Sequence, residues 1–242
     1  MALGLLATAL LLSWQAQAQV TGSLLFAVGR SVFQLIVLGY GLAIVFALPQ
    51  AGTCFFLGFL LLVTTQFTWS RLEAEVDRWM VGLWLILASG LPSTYALLLV
   101  LRPDPWYSPQ YWIPWVGLSL GSAAAVALQT GNGFWQALQR DRHQVEIHLS
   151  LGATIDQALK PWKRSIFHNT ISPRLQQISW VGLITLPLFL GGQLAAGVDP
   201  LVAVEYEILL IFVTLNSSLI IALGMINIIQ KKVNQTLFEM DP

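Results

Sequence analysis

Seven stretches of this sequence are apolar over nearly the ~20 residues that a helix needs to cross ~30 Å of hydrocarbon, and that pattern leaves few folds open. They run at about 2–20, 31–48, 53–70, 79–101, 111–130, 174–197 and 201–229. In lipid every backbone polar group must find a partner within the chain, so runs of this length predict helices. Composition agrees. Charged residues are 10% of the chain against about 25% in ordinary soluble domains, apolar residues are 56%, and mean hydropathy is +0.69. The expected fold is all-α, a polytopic membrane helix bundle of about seven transmembrane helices, with residues 1–242 forming a single transmembrane domain.

The basic residues test that layout. Arg30, Arg71, Arg78, Arg140, Arg142, Lys160, Lys163, Arg164, Arg174, Lys231 and Lys232 fall on one side of it, and Arg102 alone falls on the other. Lys and Arg stay on the cytoplasmic face, so this split predicts a plasma (inner) membrane protein with its N-terminus outside and its C-terminus inside. Residues 2–13 followed by Gln-Ala-Gln-Ala resemble a signal peptide, but no Lys or Arg precedes Arg30. A signal peptide needs a basic leading region, so the segment is read as a retained first helix. The net charge is zero and the basic residues cluster at span ends, which argues against a nucleic-acid partner and for the lipid bilayer. With Cys54 as the sole cysteine, neither an intrachain disulfide nor a thiolate metal cage can form within one chain.

Connections between the spans are short except between the fifth and the sixth, where a polar, basic segment of about residues 135–170 intervenes. Leu138, Val145, Leu149 and Gly152 share one helical stripe, and Gly152 is placed to end that helix in the left-handed conformation. Thr154 and Gln157 have capping-box spacing and start a second helix, which Pro161 is expected to bend. The result is a tight knuckle with a small Gly152-Ala153 tip, suited to entering a partner's groove. The same pattern also suits a helix pair lying on the membrane with its basic residues against anionic lipid.

Beyond it, Pro187 and Gly191-Gly192 interrupt the sixth span and are expected to free carbonyls near residues 184–186. Asp199 followed by Pro200 reads as the cap and first residue of the last helix. Gln34, Ser119, Ser122, Pro187, Gln193 and Asn216 are candidates to line a path, although interhelical hydrogen bonding also accounts for single polar residues in a span. Glu205 and Glu207 are the only acids within an apolar span, where charge is expensive. Spaced by two, they point to nearly opposite sides, and Glu205 is assigned to the path.

Glu146, Leu149, Leu151-Gly152-Ala153-Thr154, Ala158, Pro161, Val181-Gly182-Leu183, Leu186-Pro187, Gly192-Gln193, Gly197-Val198-Asp199-Pro200, Ala203 and Tyr206 together resemble the FetB-type (YbbM-like) ABC-transporter permeases. The likeness is strongest from about Tyr111 onward. It implies a non-catalytic permease subunit that pairs with itself and with a separate ATPase subunit, in which ATP and magnesium would be bound. It also implies a coupling helix between the fifth and sixth spans, carrying Glu146, Leu151, Gly152 and Ala153 as the ATPase-coupling residues. Metal-ion transport, with iron export as the example, is the activity implied. The chain departs from that pattern where the family has methionines, with Leu188-Phe189-Leu190 and Gln177-Ile178-Ser179 instead, and Glu205-Tyr206-Glu207 replaces Arg-Tyr-Gln. Thioethers suit soft ions, so these changes leave the substrate open.

Other classes have less support. His143, Glu146 and His148 do not form HExxH, and histidines five apart on a helix diverge by ~140°, so neither a metal site nor a zinc hydrolase is expected. No Walker motif is present, so the chain itself is expected to bind no cofactor. A secondary transporter would show internal pseudo-symmetry, which is absent from the sequence. A non-ABC membrane protein, such as a secondary transporter or a lipid-binding scaffold, remains the alternative to a permease.

Overall fold

The computed structural model describes Gly4, Thr8, residues 21–47 and residues 51–238. Among the described residues eight helices follow in order: α1 Thr21–Ala47, α2 Ala51–Trp69, α3 Arg78–Tyr95, α4 Pro109–Arg140, α5 Arg142–Ser150, α6 Ile155–Trp180, α7 Leu188–Ala195 and α8 Pro200–Phe238. A π-helical segment, Ala96–Leu101, extends α3. Among the described residues, five stretches are long and apolar enough to cross a membrane: Gly22–Ala47, Gly52–Trp69, Arg78–Leu101, Pro109–Arg140 and Pro200–Gln235.

The expected second span begins ten residues early, at Thr21, while the expected first span at 2–20 lies outside the described residues apart from Gly4 and Thr8. The sixth span needs correction. Residues 174–197 are not one helix, because α6 ends at Trp180 and α7 begins only at Leu188. Nor is the polar segment a separate pair of helices: α4 carries on through Leu138 to Arg140, and α6 continues from the segment straight into the bundle, with Pro161 and Pro173 inside it.

The chain divides into two compact units, Met1–Gly52 and Thr53–Pro242. In the first, α1 turns apolar side chains such as Phe26, Phe33 and Ile44 outward along its length, as a lipid-facing helix does. In the second, α3, α4 and α8 form the core. Val81, Leu85 and Ala88 meet Ala123, Val126, Ala127 and Phe134, and Ile221, Ala222, Met225 and Ile229 close the third side. Their spacing of three and four residues marks one face on each helix.

Small residues set how closely these helices approach, since lipid offers no hydrophobic drive to squeeze them together. At Gly224 a Cβ would lie 2.3 Å from the Trp84 ring, so the indole of α3 rests directly on the backbone of α8. Ser119 of α4 and Ser93 of α3 bring their hydroxyls to 3.0 Å, an interhelical hydrogen bond. The α2–α3 loop is fastened to α4 by Glu73 N–H to Asn132 Oδ1 at 2.9 Å and Gln136 Nε2 to Glu73 Oε1 at 2.7 Å. That loop therefore lies at the same end of the bundle as the C-terminus of α4. At 39 residues α8 rises ~58 Å, so it projects well beyond a ~30 Å hydrocarbon layer.

Candidate functional site

Two features stand out, a small projection and a cavity, joined by one helix. The projection begins where α4 ends at Arg140 and the chain turns at Asp141. The indole N–H of Trp162 on α6 donates to Asp141 Oδ2 at 2.9 Å, and Arg140 Nε pairs with Asp141 Oδ1 at 3.2 Å. The Trp162 bond first, then the Arg140 bond, hold the Asp141 carboxyl below the usual range. His148 packs edge-on against the same indole, with ring centroids 6.2 Å apart.

Gly152 closes α5 at φ +86°. Its N–H reaches Leu149 O at 2.9 Å and the Ala153 N–H reaches His148 O at 3.1 Å, the paired bonds of a Schellman turn. Immediately afterwards Thr154 N–H donates to Gln157 Oε1 at 3.0 Å and Gln157 N–H to Thr154 Oγ1 at 3.3 Å, completing the expected capping box. Of the four residues expected to couple to an ATPase, Leu151 is 82% exposed, Gly152 is exposed, and Ala153 is half-buried. Glu146 is exposed one turn back, paired with Arg142 at 2.8 Å. Asp156, in the first turn of α6, binds Lys163 and accepts from Gln230 Nε2 of α8 at 3.2 Å. Lys163 first, then Gln230, depresses its carboxyl. The projection is thus tied to α4 through Asp141 and to α8 through Gln230.

From that tip α6 runs unbroken for 26 residues, ~39 Å of rise, before the chain leaves the helix at Val181. The break carries Gly182 at φ +83°, with its N–H on Thr185 O at 3.0 Å, while Ile184 and Thr185 N–H groups fold back to Trp180 O. Pro187 caps α7, and Gly191 and Gly192 sit inside that helix, so the interruption falls earlier than expected. Gly197 at φ +82° ends α7 in a second Schellman turn, a signal the sequence carries in Gly197-Val198 that went unread. Asp199 Oδ1 accepts from Leu201 N–H at 2.9 Å and Val202 N–H at 3.3 Å, the cap predicted for α8.

A cavity of about 490 Å³ opens beside the break, between α4, α6, α7 and α8. Of the residues expected on a path, Ser122 and Pro187 line it. Glu207 lines it too, is 8% exposed, and keeps Oε2 buried without a hydrogen-bond partner, while Glu205 is exposed and outside the lining. The backbone N–H of Leu190, in the first turn of α7, faces the Glu207 carboxyl. The carboxylate and the N-terminal end of a helix suit one another electrostatically. Gln193 sits on α7 outside the lining with its Oε1 buried and unpaired. Asn216 is exposed and bonded to Phe212 O at 2.9 Å, and Gln34 is exposed on α1 in the other unit. Among the described residues no group of three or more His, Cys, Asp or Glu is placed to hold a metal ion.

Five membrane-length helices and a bundle built on small-residue contacts define a multi-pass membrane protein. The chain belongs to UPF0014, described as an uncharacterised protein family, which it matches over residues 1–234. It is 39% identical to the UPF0014 membrane protein slr1647 of Synechocystis sp. over 217 residues, 88% of this chain and 83% of that one. It is 26% identical to the probable iron export permease protein FetB of Escherichia coli over 218 residues, 90% and 84% of the two chains, as the FetB-type resemblance implied. Protein ALUMINUM SENSITIVE 3 of Arabidopsis thaliana is 30% identical over 201 residues, 83% of this chain and 73% of that one. No solved structure matches the chain significantly.

Proposed function

We propose that this chain is the permease subunit of an ATP-binding cassette transporter, acting as a homodimer with a separate ATPase that binds ATP and magnesium. The observation that carries the reading is the continuity of α6, which has an exposed tip at Leu151–Gly152 at one end and the cavity at the other. A helix is stiff along its axis, so a push on the tip moves the wall of the cavity. The bonds from Asp141 and Asp156 keep the projection from folding aside under that push.

The description of the Escherichia coli relative as a probable iron export permease supports a metal ion as cargo and outward movement. The basic ends favour the island in the cytoplasm, where an ATPase would meet Glu146, Leu151, Gly152 and Ala153. The test is co-purification of an ATPase with the full chain, followed by ATP-dependent flux of metal ions in vesicles. Retention of no ATPase together with flux indifferent to ATP would remove the reading and favour a secondary transporter or a lipid-binding scaffold.

A further inference from the structure

The cavity beside the break carries more chemistry than a passage requires. Glu207, Thr214 and Ser218 follow one another at spacings of seven and four on α8, so they share one face, and all three line the cavity. They mark a polar line rising ~16 Å along the helix. Ser122 of α4 faces it, its hydroxyl 3.2 Å from that of Ser218.

The protons in this line are already committed. Ser218 donates to Thr214 O at 2.8 Å and Thr214 to Leu210 O at 2.9 Å. A hydroxyl has a single proton, so Ser122 must be the donor toward Ser218, and what the three groups offer a ligand is lone pairs. Glu207 adds a carboxyl whose Oε2 is buried with no hydrogen-bond partner. A wall of acceptors attracts cations and disfavours anions. The lining has no Met, Cys or His, so it lacks the thioether, thiolate and imidazole donors that soft or borderline metals select. Arg174, on α6, is the one basic residue of the lining. It stands six residues before the end of its helix at Trp180, ~9 Å of rise from the break that Glu207 adjoins.

We propose that Glu207 is a cation-binding residue of the permease and that its ligand is a hard, oxygen-preferring metal cation, which then passes along the Thr214, Ser122 and Ser218 oxygens. This rests on the permease reading for its biological purpose but not for its chemistry. One carboxylate leaves the ion most of its water shell, and the hydroxyls lie too far along α8 to share that ion, which suits a site that must release what it binds. A cation at Oε2 also competes with the Leu190 N–H for the carboxylate charge, so occupancy loosens the hold of α8 on α7.

The experiment uses the purified full chain in nanodiscs without ATPase or ATP, with Mn²⁺ as probe, read by electron paramagnetic resonance. One Mn²⁺ per chain is expected, with at least tenfold weaker binding in Glu207→Gln and unchanged binding in the loop control Glu75→Gln. A misfolded Glu207→Gln would mimic a lost site, so the wild-type chain provides a second measurement: Mn²⁺ should protect Glu207 from modification by dicyclohexylcarbodiimide. Binding unaltered by Glu207→Gln, or modification of Glu207 unslowed by saturating Mn²⁺, overturns the site. Transport that proves independent of ATP leaves this site standing, whereas ATP-driven flux with Mn²⁺ binding indifferent to Glu207 removes the site alone.

Discussion

Trp162 donates its indole N–H to the carboxylate of Asp141 across 21 residues of sequence, at 2.9 Å, and so locks the corner after α4 to the flank of α6. The contact pins α6 to the end of α4 beside the α5 turn. Asp141 has its folded pKa depressed, so its contribution is present above the unfolded value of ~3.9 and is lost as pH falls through the lower, folded one. Hydrogen exchange across residues 141–165, measured against the intrinsic rate at each pH, should therefore stay slow at neutral pH and quicken in that acid window. Trp162→Phe should quicken it at neutral pH, and unaltered exchange in that variant would show the bond to be dispensable.

Gly152 has open space around its Cβ position, so only its positive φ restricts substitution. Gly152→Val should cost about 1 kcal/mol or more at the turn and reduce ATP-coupled flux severalfold, while Gly152→Asn, which tolerates this conformation, should keep most of it. Vesicle flux measured beside ATPase turnover separates the two, and equal behaviour of both variants would count against a conformational role.

Gly224 gives the opposite case, with ordinary φ and no room. Adding a side chain there drives into the Trp84 ring, and Gly224→Val should destabilise the bundle by about 1–3 kcal/mol. Thermal unfolding in detergent reads the loss. Pairing it with Trp84→Leu should recover part of the stability, and absence of any recovery would mean that the strain lies elsewhere.

Labelling of single cysteines at positions 104 and 156, after Cys54→Ser, should reach opposite faces of the membrane, with position 156 open to the cytoplasm. The loop at Asp104 follows the far end of α3, whereas Asp156 lies beside Gln230, near the end of α8. Labelling of both from one face would refute the arrangement of the basic residues.

Signals confined to a few neighbouring residues were legible in the sequence. The Thr154–Gln157 box, the Gly152 turn and the Asp199 cap each need only residues within three or four positions, and each stands as expected. Helix continuity was harder to read. Pro161 and Pro173 remain inside α6, and Gly191-Gly192 inside α7, because neighbouring helices can hold a segment that its own propensity would release. The choice between Glu205 and Glu207 was beyond sequence for a related reason. Spacing says that two acids diverge, but which one meets the cavity depends on where α4, α6 and α7 stand around α8. The Asp141–Trp162 contact likewise joins residues brought together only by the turn at Gly152.

The indole of Trp84 seated on Gly224 also decides which parts of the subunit are free to move. A flat ring in a notch of bare backbone resists sliding of α3 along α8 in either direction, so on the permease reading those helices, with α4 packed beside them, would serve as the stator. Displacement is then left to the interrupted rod beside them, and a working stroke would appear as a tilt of α6 and α7 against a stationary frame.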